Sequence, residues 1–524
     1  MPGQPEPDPA VSATPDDGRP APGWLAGLAR FDPRAPRDLV RALLFVLLLF
    51  VLAALLFRFA GYARALLAYP YDWDEDEGLY VGYAQRLAEG RPIYVDFNRL
   101  PMTSACYPPG FIAAVALLVP RLGPTLAAGR IVSLAALLAS AVVVILAVRQ
   151  ETRRWSLGLL GAAILLAGPY VTTWGPLSRV DSFALFLVLL GLLLVRQYPR
   201  WRAAMPVGLL LLLLACFTRY QSALLVPAAF WHLWRTGRRT GVVSLAVFAV
   251  AGLASVIWLQ HWSGGWFWRS TITAQATEYI WGFFTQRTRE FLQEHAILTA
   301  GALAWLVYQI ARREVDVWGA LAILSVLNIL LTGKQGAAIN YYMPFIAAAA
   351  IGCAIAIDRL LRSVPAGWSA AVGSGLMLIL TLQGVIWWLH PIGTPTEADR
   401  KAGDRIVNLI RGTQGDVLTE RRVTFAMLAG RRPEIDICTL RFAYQIGRSD
   451  DPQAPRVTGA VCWDPAELVT ALNEKRFGLI LVAGEFFPPE AMTAIMLHYR
   501  ELKGERFTIG NWHGSNRYFV MVPK

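Results

Sequence analysis

The stretch RALLFVLLLFVLAALLF, residues 41–57, carries no charge after its first residue. A helix that is apolar on every side belongs in lipid or in a very large core. Ten further charge-poor stretches follow, near 131–148, 155–173, 181–195, 203–217, 220–234, 241–260, 296–311, 315–333, 340–357 and 367–389. Several have uncharged cores shorter than the ~20 residues that cross a bilayer, and their flanks complete the crossing. Apolar residues make up 55% of the 524 positions, above the share in soluble domains. The fold class expected is therefore an α-helical polytopic membrane protein with about eleven spans. Gly110–Pro120 is too short to cross and reads as a re-entrant or interfacial helix.

Charge placement gives the orientation. The net charge of +12 suggests nucleic acid at first sight. Its distribution argues against that partner. Arginines cluster at span ends: Arg34, Arg37 and Arg41; Arg149, Arg153 and Arg154; Arg196, Arg200 and Arg202; Arg235, Arg238 and Arg239; Arg312 and Arg313; Arg359 and Arg362. Every second loop is basic and short, which places those loops in the cytoplasm. The N-terminus is then inside, and the 58–130 loop and the C-terminal part are outside. Residues 1–38, rich in Pro, Asp and Gly, lack a cleavable signal pattern and read as a disordered cytoplasmic tail.

From Thr396 onward the composition is that of a soluble domain. Residues 397–411 and 488–500 read as helices, and DVLTE, FGLILVA (477–483) and NRYFVMVP read as strands. The organisation expected is a tail (1–38), a transmembrane catalytic part (39–392) and an extracytoplasmic α/β domain (393–524) with a partly parallel sheet. Of the five cysteines, Cys216 and Cys353 lie in spans as small hydrophobes, whereas Cys438 and Cys462 share the external domain and can pair. No Cys or His spacing matches a metal site.

Three groups of residues carry chemistry. Asp72, Asp74, Glu75, Asp76 and Glu77 crowd five carboxylates into six positions ahead of EGLYVGYAQRLAEG. That segment reads as an amphipathic surface helix, with Leu79, Tyr83 and Leu87 at helical spacing. Crowding raises some carboxyl pKa values and makes one a candidate general base. Acids at a helix start also simply favour its dipole, and both readings stand. Asp181, in GPLSRVDSF, opens a span as an N-cap, an ion-pair partner of Arg179 or a functional acid. Arg130, Arg219, Lys334 and Arg269 fall on the outer side, where basic residues are disfavoured. They snorkel to headgroups or hold a phosphate. The loop 261–295, with Trp262, Trp266, Trp268, Tyr279 and Trp281, fits an interfacial belt or a sugar-stacking surface.

WDEDEGLYVGYAQRLAEGRPIYVDF, then YPPGF and AAGRIVSLAALL, resembles the first external loop and following span of bacterial GT-C glycosyltransferases. Protein O-mannosyltransferases and lipid A aminoarabinose transferases are the nearest in pattern. The similarity covers roughly residues 60–345 and is most specific over 74–135. It implies an inverting transfer of a sugar from a polyprenyl-phosphate donor to a glycan, lipid or protein hydroxyl on the outer membrane face, without a nucleotide sugar. By resemblance the Asp-Glu pair is Asp76-Glu77, with Tyr80 as the following aromatic residue and Tyr107 in the YPPGF segment beyond it. Asp181 matches the second acidic site, and Arg219 and Gln221 match the basic-then-Gln segment. Asn340, Tyr341, Tyr342 and Pro344 match a late Asn-Tyr-Tyr-Pro element. Basic residues would hold the leaving lipid phosphate, and a divalent cation is compatible with the acids.

Two features depart from the pattern. Asp74-Glu75 is a second Asp-Glu pair, so Asp74 is an alternative base. The C-terminal part is not the β domain of eukaryotic mannosyltransferases, so the acceptor does not carry over. A transporter or flippase is the rival reading, and it requires a midplane site and repeats that the sequence does not display. A scaffold presenting the C-terminal domain leaves the acidic loop unexplained.

Overall fold

The computed structural model describes residues 36–436, 440, 443–444, 463–484 and 486–524. The expected tail therefore falls almost wholly outside the described residues, as do Cys438 and Cys462. The helical part runs α1 (Pro36–Ala68), α2 (Glu77–Ala88), α3 (Gly110–Ala116), α4 (Val119–Leu122), α5 (Leu126–Thr152), α6 (Trp155–Ala167), α7 (Pro169–Trp174) and α8 (Val180–Arg196). It continues α9 (Ala204–Cys216), α10 (Pro227–Thr236), α11 (Arg238–Trp262), α12 (Trp266–Thr271), α13 (Trp281–Ala311), α14 (Val317–Leu330), α15 (Met343–Ser363) and α16 (Ala366–Leu389).

Every apolar stretch singled out in the sequence lies on one or two of these helices. Five of them are long and apolar enough to cross a membrane: Asp38–Ala68, Leu126–Thr152, Arg238–Trp262, Ile339–Ser363 and Gly367–Leu389. Three others are apolar but shorter, at Trp155–Ala167, Ala204–Cys216 and Val317–Gly333. Shortness has identifiable causes. Pro169 at the start of α7 and Pro227 at the start of α10 interrupt what would be single rods, because proline lacks the N–H that continues a helix. α13 bends at His295, whose φ of −117° and ψ of 23° leave the helical region. The exposed faces are the oily ones, with Phe50, Phe57, Val250 and Leu253 all more than 60% exposed, as expected of surfaces that meet lipid.

The seven-residue α3 and four-residue α4 replace the short re-entrant element. α2 appears as expected, closed by Gly90 at a φ of 70°. It does not lie free on a surface. Leu79, Tyr80, Tyr83 and Ala84 are buried among residues of α3 and α5 and Val423 of the C-terminal part.

That C-terminal part follows α16 with α17 (Glu397–Gly412), β1 (Asp416–Thr419), α18 (Thr424–Leu428), α19 (Ala466–Asn473), β2 (Phe477–Val482), α20 (Pro489–His498), β3 (Tyr499–Asn511) and β4 (Gly514–Pro523). A capping box of Thr396 and Asp399 starts α17. The sheet order is β1-β2-β4-β3, with β1 and β2 parallel and the other neighbours antiparallel. β3 was not expected. Its sequence, YRELKGERFTIGN, is too charged to read as a strand, and it forms because it sits at the sheet edge with its polar face in solvent. The β3–β4 hairpin turn, at Trp512 and His513, points back at the loop between α1 and α2.

Candidate active site

The acidic stretch 72–77 covers the end of the loop between α1 and α2 and the first residue of α2, and its carboxylates divide into two populations. Glu77 and Arg130 turn inward. Arg130, on α5, gives all five of its N–H groups to the protein: its Nε and Nη2 bond Glu77, and the rest bond the carbonyls of Leu66, Tyr69 and Tyr71. Glu77 also accepts from the backbone N–H groups of Trp73 and Ser178 at 2.7 and 2.8 Å. Although burial opposes ionisation, the Arg130 guanidinium and these amides hold the Glu77 carboxyl below its usual range. This pair ties the loop to α5 and to the turn before α8. Glu77 is not positioned as a catalytic acid, and Arg130 has no donor left for a phosphate.

Asp72 is likewise internal, bonded by the Gly78 N–H at 2.6 Å and by the Thr424 hydroxyl. Gly78 is required here, since a Cβ would sit 2.8 Å from both Asp72 Oδ1 and Thr424 Cγ2. Glu75 pairs with Arg421 of the C-terminal part.

Asp74 and Asp76 face one cation. Arg179, at the N-cap of α8, donates through Nη1 to Asp74 Oδ2 at 2.8 Å and to Asp76 Oδ2 at 2.7 Å. The same guanidinium lies over the rings of Trp174 and Tyr80, at 5.0 and 5.3 Å. Trp512 Nε1 donates to Asp74 Oδ1 at 3.1 Å, and its ring meets Trp174 edge-on at 5.4 Å. Burial pushes the Asp74 carboxyl up to about 7, against the downward pull of Arg179. The Asp76 side chain is 24% exposed, more than twice the 11% of Asp74.

A second node lies on the other side of Trp174. Asp181 accepts from Trp174 Nε1 at 2.7 Å and from Asn340 Nδ2 at 2.8 Å, and lies 3.1 Å from Arg219 Nε. The expected alternatives for Asp181, a cap or a pair with Arg179, give way to Arg219. The Arg219 guanidinium sits 4.5 Å over the Tyr341 ring, whose hydroxyl takes a 2.9 Å bond from Gln221. Among the described residues its buried Nη2 has no hydrogen-bond partner, a costly condition for a charged donor. The cavity beside Asp181, Arg219 and Gln221 holds only about 10 Å³, so a substrate entering there must displace side chains.

Tyr107 and Tyr220 stack at 6.0 Å, Tyr80 closes on Tyr107 at 6.0 Å, and Lys334 Nζ lies 3.4 Å from the Tyr220 hydroxyl. Backbone pairing of 278–280 with 333–335 holds Lys334 there, and burial lowers its ammonium pKa. Thus Asp74, Asp76, Asp181, Arg219, Lys334, Tyr80, Tyr107, Gln221 and Tyr341 converge. Tyr342 does not: it stacks on Phe291 at 4.3 Å in the helical core. Arg269 does not either, being exposed and leaning on Trp266.

Sequence reasoning missed Arg179 as the partner of the acidic loop, and missed Trp174, Tyr220 and Trp512. A basic residue two places before Asp181 was the available signal for Arg179. Nothing local marked Trp512, which arrives through tertiary folding. Among the described residues, no group of three or more His, Cys, Asp or Glu is placed to hold a metal ion, and Arg179 takes the place between the two aspartates.

No protein-family model matches the chain. No curated protein matches it in sequence. Solved structures do match in shape. ArnT from Cupriavidus metallidurans in the apo state aligns over 90% of this chain and 97% of its own, with 14% identity and a TM-score of 0.54. The same enzyme bound to undecaprenyl phosphate aligns over 93% and 98%, with 14% identity and a TM-score of 0.51. The archaeal oligosaccharyltransferase AglB from Archaeoglobus fulgidus, in complex with an inhibitory peptide and a dolichol-phosphate, aligns over 83% and 69%, with 10% identity and a TM-score of 0.50. The chain shares the fold of these GT-C enzymes, as the resemblance in its first loop implied.

Proposed function

We propose that this protein is a membrane glycosyltransferase that moves a sugar from a polyprenyl-phosphate donor to a hydroxyl acceptor on the extracytoplasmic face. The observation that carries the reading is the meeting of Asp74 and Asp76 with Arg179, one indole away from the Asp181–Arg219 pair. The likeness to ArnT with undecaprenyl phosphate and to AglB with dolichol-phosphate supports the donor class. The positive-inside pattern of the sequence supports the face and the external C-terminal part.

In this mechanism Asp76, the more open carboxylate, takes the proton of the acceptor hydroxyl as its oxygen attacks the anomeric carbon. The bond from that carbon to the phosphate oxygen breaks, and the lipid phosphate leaves with the electron pair. Negative charge therefore grows on the phosphate, and Arg219 and Lys334 are the cations placed to meet it. Preorganised charge of this kind is usually the largest single contribution to such a step. Arg219 is suited because, among the described residues, its buried Nη2 has no hydrogen-bond partner. Asp74 stays out of the proton transfer. It shares Arg179 with Asp76, and its charge state sets how strongly Arg179 restrains the base. Tyr107 and Tyr220 offer apolar ring faces to the sugar.

The test is incubation of the purified protein with radiolabelled polyprenyl-phosphate sugars and a total envelope extract, followed by identification of the labelled product. Label that stays on the polyprenyl phosphate with every donor and every extract fraction refutes the transferase reading. A midplane cavity that exchanges solute across proteoliposomes would support the transporter instead.

A further inference from the structure

A second cavity lies away from the acidic loop. A cavity of about 510 Å³ runs between α1, α6, α13, α15 and α16. Its walls are apolar: Leu52, Leu160, Ile164, Leu298, Trp305 and Leu380. It follows α13 from Ile297 to Tyr308, roughly 16 Å at 1.5 Å per residue. That is about half of a ~30 Å hydrocarbon core, the depth of one leaflet. No residue of the candidate active site lines it.

One end is basic, and the charges there are unequal. Arg154 and Arg362 both pair with Asp358, at 3.2 and 2.8 Å, and Arg362 also bonds the Thr152 carbonyl at 3.0 Å. Arg196 pairs with Glu151. Arg359, which lines the cavity, lies over the Tyr308 ring at 5.4 Å. Among the described residues it has no carboxylate at ion-pair distance, and its buried Nη1 has no hydrogen-bond partner. Ser363, one turn further on at the same rim, already gives its hydroxyl proton to the Arg359 carbonyl at 2.8 Å, so Arg359 is the donor there for an anion. Arg359 is sixteen residues along α15 from Met343, about 24 Å from the candidate active site.

We infer that this cavity holds one anionic glycerophospholipid, with an acyl chain between the five helices and its phosphate on Arg359. The apolar walls account for the chain. The buried, unpartnered guanidinium nitrogen accounts for the phosphate, because such a donor is costly alone and strong when bonded to an anion. The lipid comes from the leaflet opposite the acidic loop, since Arg359 lies at the far end of α15. It fills the hollow left beside the α13–α16 contact, where Gln383 and Trp387 bond the Glu294 carbonyl, and so braces a helix whose other face is exposed. The inference does not depend on the proposed reaction.

The test uses purified full-length protein, stripped of lipid in detergent and titrated with dioleoylphosphatidylglycerol or dioleoylphosphatidylcholine. Native mass spectrometry counts bound lipids, and thermal unfolding reads stability. The expected result is one phosphatidylglycerol bound about tenfold or more tightly than phosphatidylcholine, with a rise in Tm. R359Q, a change at the rim, removes the preference and the rise, and A356F, which fills the cavity, removes binding of both lipids. R362Q, whose arginine is already paired, keeps the wild-type preference. Equal binding of the two lipids by the wild type overturns the inference. So does an unchanged preference in R359Q, an equal loss in R362Q, or displacement of phosphatidylglycerol by stoichiometric undecaprenyl phosphate.

Discussion

Two carboxylate–guanidinium contacts lie within a few residues of each other in the loop between α1 and α2, and they are built differently. In the Glu77–Arg130 pair both side chains are essentially inaccessible, at 0% and 1% exposure, and every guanidinium N–H is matched by an acceptor of the protein. In the Arg179 node one nitrogen serves two aspartates, Arg179 Nε is buried without a partner among the described residues, and Asp76 reaches solvent. A completed pair has nothing left to offer a substrate and works as architecture. An incomplete one keeps unspent bonding capacity at an accessible face, where the proposed chemistry would act. Charge type and position in the sequence do not separate the two; the accounting of donors and acceptors does.

The comparison breaks first at Arg130. Replacing it with Gln leaves Glu77 ionised and buried with most of its neutralising partner gone, a loss of ~3–5 kcal/mol. Expression should fall and the Tm of the remaining protein should drop sharply, with any transfer activity lost in proportion to folded protein. A Tm equal to the wild type would mean that the inward pair is not structural.

Asp76→Asn should do the opposite. The protein stays inserted, with a wild-type Tm, while transfer falls by roughly 10²–10⁴-fold, the usual contribution of a general base. Normal activity in this variant and in Asp74→Asn would remove the acidic loop from the mechanism altogether.

Asp74 sharpens the contrast through pH. Its pKa of about 7 means that the protonated form gains population as pH falls through neutrality. In the proposed mechanism, when Asp74 is protonated, Arg179 is held by Asp76 alone and restrains the proposed base more strongly. Activity should therefore decline on the acid side with a midpoint near 7. In Asp74→Asn that limb should vanish, leaving a reduced rate that is flat between about pH 6 and 8. A limb that persists near 7 in this variant would assign the titration elsewhere.

How far the sequence revealed this arrangement depended on whether the cause was local. Apolar runs such as 41–57 and the acid-led start of α2 are local, and both were legible. So were β1, β2 and β4, whose apolar content survives any context. β3 was hidden because an edge strand tolerates Lys503, Glu505 and Arg506, which no strand pattern predicts. At the site, the first loop exposed its acids, yet nothing in DEDEG distinguishes the outward Asp76 from the inward Glu77. A one-residue change in helical position turns a side chain by about 100°, so the decision lies in which neighbour waits on each side. Arg130 and Arg179 are those neighbours, 53 and 103 residues away from Glu77 and Asp76. Pairings over such distances have no local signature.

The smallest expected effect is the most specific. Trp512 reaches Asp74 from the β3–β4 turn, more than four hundred residues along the chain, and donates one indole N–H to its carboxylate. That bond favours the ionised form, so removing the donor while keeping an aromatic ring, in Trp512→Phe, must raise the Asp74 pKa. Hydrogen bonds to charged groups are worth about 1.5–3 kcal/mol at most, and a partly exposed indole contributes less, so a shift of about one unit is reasonable. The acid limb of the pH–rate profile should move from near 7 to near 8, and the rate at pH 7 should fall about fivefold, because the ionised fraction drops from roughly one half to one tenth. At pH 9 the variant should recover most of the wild-type rate. A role confined to packing would lower the rate equally at every pH, and that outcome would separate the C-terminal part from the chemistry of the loop it touches.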